Sequence, residues 1–188
     1  MPLEIIIAGR GGQGILLAGY LLGRALIDKG YYVVNSEMYS AETRGGFSRS
    51  DLIVFRTREE TDTIKVSRAD IAVFMYYEQM YSYADYVKQE PKLVLLDSTY
   101  IEKPARNWPN IVEIPITELA KDLVGTTRVA NVFMLGVLGY TTDLVDPETM
   151  ERTILSKVSP KWREVNINAF RKGYEYAENN LRKVHVEI

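Results

Sequence analysis

Short apolar runs, separated by polar and glycine-containing connections, dominate the first part of the chain. Runs of about four to eight apolar residues are typical of buried β-strands, whereas apolar positions that recur every three or four residues are typical of helices. Six segments accordingly predict strands, at residues 5–8, 31–35, 51–55, 71–75, 92–96 and 111–114. The last is short and is predicted to lie at an edge of the sheet.

Helical patterns follow several of these strands and fill the rest of the chain. They are predicted at residues 15–29, 76–88, 117–124, 130–140, 147–158 and 161–183. Gly30 stands where a glycine usually ends a helix, and Thr117 is expected to be an N-cap. Strands that alternate with helices predict an α/β fold, with an open, mostly parallel sheet, helices on both faces and a helical C-terminal tail. The length predicts a single domain over residues 1–188, with a loop at residues 38–46.

A glycine-dense turn connects the first predicted strand to the first predicted helix. It reads G-R-G-G-Q-G at residues 9–14, and Gly9, Gly11 and Gly14 match the pattern G-x-G-x-x-G. Backbone N–H groups in such a turn can approach a ligand closely, and the following helix N-terminus favours anions. With Glu37 as a ribose-binding acid after the second strand, the pattern is typical of a dinucleotide site. The alternative is a tight strand-to-helix turn that binds nothing.

A second glycine-containing motif, Y-S-A-E-T-R-G-G at residues 39–46, falls in the loop after the second predicted strand. Loops that follow parallel strands emerge at one edge of the sheet, so Glu42 and Arg44 are expected to lie near the glycine turn. The Arg44 guanidinium suits a carboxylate or a phosphate, while Gly45 and Gly46 allow close backbone approach. The alternative is an exposed loop with an Arg–Glu pair of little energetic weight.

The composition argues against several classes of function. A net charge of -2 argues against a nucleic-acid-binding surface. We expect a cytoplasmic protein without membrane contact, because no apolar run is long enough to span a bilayer and no basic leader precedes the first strand. The chain has no cysteine to ligate an iron–sulfur cluster, and its one histidine, His185, argues against a Ser-His-Asp triad or a histidine-rich metal site. Any redox centre is therefore expected on another chain.

Three motifs together resemble one known family. The segments G-R-G-G-Q-G-I at residues 9–15, Y-S-A-E-T-R-G-G at residues 39–46 and N-V-F-M-L-G at residues 131–136 are similar to the gamma subunit of 2-oxoacid:ferredoxin oxidoreductases. These thiamine-diphosphate enzymes decarboxylate 2-oxoacids such as pyruvate or 2-oxoglutarate to acyl-CoA and reduce ferredoxin. The resemblance covers the whole chain and implies a Rossmann-like domain of the gamma type.

The resemblance also implies a division of labour. Thiamine diphosphate, Mg, coenzyme A and [4Fe-4S] clusters belong to the complex with alpha, beta and delta subunits, which passes electrons to ferredoxin. The gamma chain alone is expected to hold none of these cofactors and to have no turnover. The residues expected to face coenzyme A and the partner subunits are Gly11, Gly12, Gln13, Gly14, Glu42, Arg44, Gly45 and Gly46. Relatives often have Gly-Pro-Glu where this chain has Ser40, Ala41 and Glu42, which leaves the role of the first two open.

Residues outside these motifs give weaker signals. Asn131 precedes an apolar run and is expected either to contact the ligand region or to be an N-cap or core amide. Gly136 and Gly139, one helical turn apart, predict close helix packing. The many tyrosines at residues 76–86 favour either a subunit interface or a half-buried helix. A free-standing NAD-dependent enzyme is the alternative function, although the sequence offers it no obvious catalytic acid or base.

Overall fold

The computed structural model describes residues 2–40, 46–58 and 64–188, and in these the chain forms a six-stranded sheet with helices packed against it. The strands are β1 (Leu3–Arg10), β2 (Tyr32–Tyr39), β3 (Phe47–Phe55), β4 (Ile71–Phe74), β5 (Leu93–Asp97) and β6 (Ile111–Ile114). The helices are α1 (Ile15–Asp28), α2 (Tyr77–Tyr83), α3 (Ile116–Val124), α4 (Ala130–Thr142), α5 (Pro147–Lys157) and α6 (Pro160–Asn180). None of these helices has the length and apolar character needed to cross a lipid bilayer.

The sheet has the strand order β2-β3-β1-β4-β5-β6. β1, β4, β5 and β6 pair in parallel, whereas β3 pairs antiparallel with both β1 and β2. Only β3 is therefore reversed. The prediction of an α/β fold with an open, mostly parallel sheet is confirmed, and β6 lies at an edge as expected.

The hairpin of β2 and β3 differs from the sequence prediction. The sequence predicted strands at residues 31–35 and 51–55 with a loop at residues 38–46, but β2 continues to Tyr39 and β3 already begins at Phe47. The reason is that β3 buries polar side chains, which hydrophobic patterning assigns to loops. Arg49 is 2% exposed and Asp51 is 1% exposed, and the two form a bidentate ion pair with N–O distances of 2.5 and 2.8 Å.

Each face of the sheet carries an apolar core. On one face, side chains of β1, β3, β4 and β5 pack against α1, α3, α4, α5 and α6. On the other face, the alternate side chains pack against α2, the 3₁₀ turn Ala84–Tyr86 and the connection that contains Ile101 and Trp108. Because β1 is covered on both faces, its residues 5–8 are all apolar and fully buried.

Local capping signals set two helix ends. Gly30 follows α1 with φ 92°, a conformation that glycine adopts without a Cβ penalty, as the sequence predicts. Asp146 caps α5, because its carboxylate accepts hydrogen bonds from the N–H (2.9 Å) and the hydroxyl (3.0 Å) of Thr149. Partial burial of Asp146 acts to raise its pKa, but these hydrogen bonds and Lys29 outweigh it and lower the pKa of the carboxyl.

Three predicted helix ends are wrong. α2 ends at Tyr83, where the 3₁₀ turn takes over, rather than near residue 88. Thr117 lies inside the first turn of α3 and donates its hydroxyl to Asp97 (2.5 Å) at the end of β5, so a tertiary contact replaces the expected N-cap role. α6 ends at Asn180, and the residues beyond it are held by a bond from Val184 N–H to the Thr141 carbonyl (2.7 Å).

Glycines bring α4 and α6 into backbone contact. A Cβ at Gly136 would lie 2.2 Å from the Phe170 carbonyl oxygen, and a Cβ at Gly173 would lie 2.0 Å from that of Phe133. A Cβ at Gly139 would lie 3.6 Å from the Phe170 Cζ of α6, and 3.2 Å from the Val145 carbonyl oxygen in the connection between α4 and α5. The close helix packing predicted from Gly136 and Gly139 is therefore present, and Gly173 is the partner that the sequence analysis missed.

Candidate functional site

The two glycine motifs meet at the carboxyl edge of the sheet. The turn at residues 11–14 follows β1, and its Gly11 N–H donates a hydrogen bond to the Gly46 carbonyl at 2.6 Å. A Cβ at Gly11 would lie 3.2 Å from that oxygen, so the two chain segments are in close backbone contact. Gly46 is buried at this junction. The other predicted residues of the second motif, Glu42, Arg44 and Gly45, lie outside the described residues.

Gln13 holds the glycine turn from inside. Its Oε1 accepts from the Arg10 N–H at 2.7 Å, and its Nε2 donates to the Met75 carbonyl at 3.0 Å. The side-chain amide thus joins the ends of β1 and β4 and holds the turn in position. A contact of Gln13 with the coenzyme or the partner subunits stays a prediction.

The N-terminus of α1 opens toward the same edge. Its N-cap is Gly14, with φ 72° and no side-chain cap, and the first turn carries no acidic residue. The first N–H groups of a helix have no intrahelical acceptor, and together with the helix dipole they favour an anion. Gly12, with φ 95°, has nothing within 4 Å of the position its Cβ would take. The turn therefore offers backbone donors beside open space.

Asn131 holds this turn from α4. It is 3% exposed, and its Nδ2 donates to the Gly14 carbonyl at 2.9 Å. A Cβ at Gly14 would lie only 2.5 Å from that nitrogen. Asn131 thus lies one residue into α4, behind the turn, as a core amide that positions Gly14.

A double-mutant cycle checks this coupling. Gly14→Ala should cost about 1–3 kcal/mol of unfolding free energy, because the new Cβ meets Asn131 and the backbone is left-handed. Asn131→Ala should cost about 1 kcal/mol or more, because it removes the hydrogen bond. Urea unfolding of the double variant should then show a loss at least about 0.5 kcal/mol smaller than the sum of the two, since the clash is gone. Strictly additive losses would contradict the contact.

Aromatic side chains lie next to the turn, two of them from the tyrosine-rich segment 76–86 for which the sequence predicted a subunit interface or a half-buried helix. We name Tyr76, Tyr77 and Tyr100 the tyrosine shelf: the Tyr76 ring centroid lies 4.8 Å from that of Tyr77 and 5.3 Å from that of Tyr100. Arg10 donates to the Tyr76 hydroxyl at 3.1 Å. The neighbouring Glu78 carboxylate, with Tyr76, raises the pKa of the Tyr77 phenol, which stays neutral at physiological pH. A cavity of about 350 Å³ opens beside the shelf, lined by Tyr77, Tyr81, Tyr100, Glu102 and Lys103.

Glu37 does not reach the glycine turn. In the strand order β2-β3-β1, the whole of β3 separates it from β1, a lateral distance of about 10 Å at the usual strand spacing. Glu37 pairs with Ser50, which pairs with Ile7, so it also lies three residues, or about 10 Å, short of the end of β1 at Arg10. The dinucleotide interpretation thereby loses its ribose-binding acid.

Comparison with known proteins gives a consistent result. Residues 4–176 match the family model of pyruvate ferredoxin/flavodoxin oxidoreductase. The chain is 37% identical over 181 residues to the 2-oxoglutarate synthase subunit KorC of Methanothermobacter marburgensis, covering 93% of this chain and 96% of the relative. It is also similar to the gamma subunit of the keto/oxoacid ferredoxin oxidoreductase of Geobacter sulfurreducens PCA, at 31% identity and a TM-score of 0.79, covering 94% and 99% of the two chains.

A more distant similarity concerns the fold alone. The 2-oxoglutarate:ferredoxin oxidoreductase of Magnetococcus marinus, whose structure contains 2-oxoglutarate, coenzyme A and succinyl-CoA, superimposes with a TM-score of 0.77 at 21% identity. The match covers 99% of this chain and 33% of that larger one. A single longer polypeptide there contains the fold that this chain forms by itself.

Proposed function

The chain belongs to the pyruvate ferredoxin/flavodoxin oxidoreductase family, and from this membership we propose that it is the gamma subunit of a 2-oxoacid:ferredoxin oxidoreductase that uses 2-oxoglutarate. Such an enzyme would convert 2-oxoglutarate and coenzyme A to succinyl-CoA and CO₂, and transfer two electrons to ferredoxin. The observation that carries the proposal is the junction of the two glycine motifs, where Gly11 N–H meets the Gly46 carbonyl. The described ends of the two motifs thus meet at the carboxyl edge of the sheet.

This edge is proposed to face coenzyme A. The uncapped N-terminus of α1 and the open space at Gly12 suit the pyrophosphate, with a helix-dipole contribution of about 0.3–1 kcal/mol. The tyrosine shelf offers flat rings beside the turn, on which an adenine ring can stack. Arg10 adds a permanent positive charge between the two. In this interpretation the chain binds and orients the coenzyme, and Gln13 and Asn131 keep the turn in place.

The remaining cofactors are proposed to lie in alpha, beta and delta subunits. The chain contains no cysteine and so supplies no thiolate to a [4Fe-4S] cluster. When bound there, thiamine diphosphate with Mg would supply the carbanion chemistry of decarboxylation. The part left to this chain is to close the coenzyme side of the cleft and to keep water from it.

Reconstitution tests the proposed function. We expect the full chain, co-expressed with alpha, beta and delta subunits of such an enzyme from the same organism, to co-purify with them as a brown complex. That complex should reduce ferredoxin only when 2-oxoglutarate and coenzyme A are both present, and the chain alone should not. Turnover by the isolated chain, or its tight binding of NADH, would overturn the proposal. A complex active with pyruvate instead of 2-oxoglutarate would keep the subunit role and reject the substrate.

Gly12 gives a sharper test of the coenzyme edge, with Gly30 as its matched control. Both have a strongly positive φ, 95° and 92°, and open space around a Cβ, so an asparagine strains each backbone alike. Gly12→Asn should raise the KM for coenzyme A of the reconstituted complex several-fold, because the side chain enters the space beside the turn. Gly30→Asn, at the other end of α1, should leave that KM unchanged. Equal kinetics in the two variants would contradict a coenzyme role for the turn.

A further inference from the structure

The second edge of the sheet is a long, open strand. In the described part of the chain β2 pairs with β3 alone, in continuous register from Tyr32 to Tyr39. Ser40 N–H donates to the Phe47 carbonyl at 3.0 Å, which fixes the parity of the ladder: even-numbered residues of β2 direct their backbone groups to β3. The N–H and C=O groups of the odd-numbered residues Val33, Asn35, Glu37 and Tyr39 therefore point outward.

Among the residues that the structure describes, nothing gives this edge the usual protection against strand pairing. Natural edge strands are short, carry Lys or Pro, or are bulged. β2 has eight residues in unbroken register, with neither Lys nor Pro, and a single charge at Glu37. Tyr32 and Tyr39 are 48% and 68% exposed. An edge of this length and composition calls for a covering strand.

We propose that the covering strand is β2 of a second copy of this chain, antiparallel about a two-fold axis at Ser36. In this register Val33 faces Tyr39 and Asn35 faces Glu37 of the other copy, on each side of the axis. All four outward residues then form hydrogen-bonded pairs, each exchanging two backbone bonds. The proposal goes beyond the proposed function and does not rest on the coenzyme role of the glycine turn.

The neighbouring registers are worse for identifiable reasons. Shifting the axis to Glu37 places the two Glu37 carboxylates directly opposite each other, which is destabilising. Shifting the axis to Asn35 places Tyr39 opposite residue 31, which precedes the strand. Only the axis at Ser36 pairs the whole outward set without a like-charge contact.

Side-chain chemistry supports the same register. The Asn35 Oδ1 accepts from the Ser50 hydroxyl at 3.0 Å, which leaves the Nδ2 group as a donor for Glu37 of the second copy. Val34 would face Met38, an apolar pair, and Val33 would face Tyr39, a β-branched and aromatic pair of the kind that stabilises sheets.

Helix α1 adds an apolar surface beside β2 to the proposed interface. An apolar groove of about 240 Å³ runs between α1 and β2, lined by Tyr20, Gly23, Arg24, Ile27, Val33 and Asn35. Tyr20 and Ile27 are 43% and 44% exposed there. Arg24 lines the same groove as Asn35 and pairs with Asp28 at 2.8 Å, so the proposed pairing would bring Glu37 of the second copy toward this ion pair on each side of the axis.

Cysteine crosslinking tests the proposed strand register. The chain has no cysteine of its own, so only the introduced cysteines can form a disulfide between two copies. Under mild oxidation Ser36→Cys should give a disulfide-linked dimer, because the two residues on the axis are a closely spaced pair. Asn35→Cys and Glu37→Cys should each remain uncrosslinked alone and crosslink when mixed. A dimer that crosslinks through Asn35→Cys or Glu37→Cys alone would overturn the register.

Sedimentation equilibrium of the full chain tests the dimer itself. Wild type should be dimeric in the micromolar range, and Glu37→Ala should remain so, because it keeps the backbone N–H. Glu37→Pro should be monomeric with an unchanged circular dichroism spectrum, because it removes only an N–H that points away from β3. A monomeric wild type, or a dimer that persists in a folded Glu37→Pro variant, would overturn the proposal. So would crosslinking of Ser36→Cys to another subunit of the complex instead of to itself.

Discussion

Gly173→Ala should destabilise the protein by at least about 3 kcal/mol, because a methyl group at this position has no room. Its Cβ would lie 2.0 Å from the carbonyl oxygen and 2.9 Å from the carbonyl carbon of Phe133, in the backbone of the facing helix. A flexible side chain could rotate away, but a helix backbone yields only if α4 and α6 move apart. That movement would open the core around Phe133 and Phe170, two of the largest fully buried side chains. Thermal unfolding should shift downward by about 2–4 °C for each kcal/mol lost in a chain of this size.

Gly23→Ala is the matched control. Gly23 is also a buried helical glycine, but its Cβ would meet only the Leu52 Cδ2 at 3.3 Å and the Val33 Cγ1 at 3.6 Å, both on side chains. Alanine is favoured over glycine in a helix by up to about 1 kcal/mol, which offsets a small repacking cost. The free energy of unfolding of this variant should therefore change by no more than about 1 kcal/mol. Similar losses in the two variants would show that the α4–α6 contact is not the tight one described.

Arg49→Met should cost about 3–5 kcal/mol, because it leaves the Asp51 carboxylate buried without its counter-ion. Both side chains are at most 3% exposed. The guanidinium also lies 4.7 and 4.4 Å from the ring centroids of Tyr83 and Tyr86, so its removal loses two cation–π contacts. Asp51 also accepts from the Val66 N–H at 2.9 Å, which ties β3 to the segment before β4. Unfolding in guanidinium chloride should show the lost stability as a lower midpoint concentration of denaturant, with an unchanged dependence of the unfolding free energy on denaturant.

Two further variants test whether Arg49→Met loses stability because the Asp51 charge is left unpaired or because the Arg49 contacts are removed. Arg49→Met combined with Asp51→Asn should recover part of the loss, because the amide oxygen can still accept from Val66 and no buried charge remains unpaired. Arg171 forms a similar bidentate pair with Glu151, at 2.7 and 2.6 Å, but its side chain is 62% exposed. Arg171→Met should therefore cost no more than about 1 kcal/mol. If the buried and exposed pairs cost the same, burial would not be the cause.

The Arg49–Asp51 ion pair also explains why the sequence pattern did not predict the first residues of β3. The run S-R-S-D at residues 48–51 is polar, and hydrophobic patterning therefore placed a loop up to residue 46 and began the strand only at Asp51. The structure shows that its side chains are satisfied within the protein: Arg49 by Asp51 and two tyrosine rings, and Ser50 by Asn35. The tyrosines come from residues more than thirty positions later in the chain. No local pattern contains that information.

The candidate site likewise combines features that the sequence predicts with features that depend on the tertiary structure. The glycine turn and the start of α1 follow from local residue types, because the left-handed φ values of 72° at Gly14 and 95° at Gly12 favour glycine. The inward direction of Gln13, the contact of Asn131 with Gly14 and the tyrosine shelf all depend on which strand ends are neighbours. Glu37 was misplaced for the same reason, since its distance from the turn depends on β3 being inserted next to β1.

The sequence by itself determined the α/β class, the bounds of most helices and strands to within a few residues, the family and the presence of a glycine turn at a helix N-terminus. These features depend on hydrophobic periodicity and on backbone conformations that individual residues permit, both of which are local. Only the tertiary structure decided the strand order, the reversal of β3, the open edge of β2 and the pairing of Gly136 and Gly173 with the facing backbones. These depend on contacts between segments far apart in the chain, where the burial of a polar or glycine residue is settled by its partner and not by its neighbours in sequence.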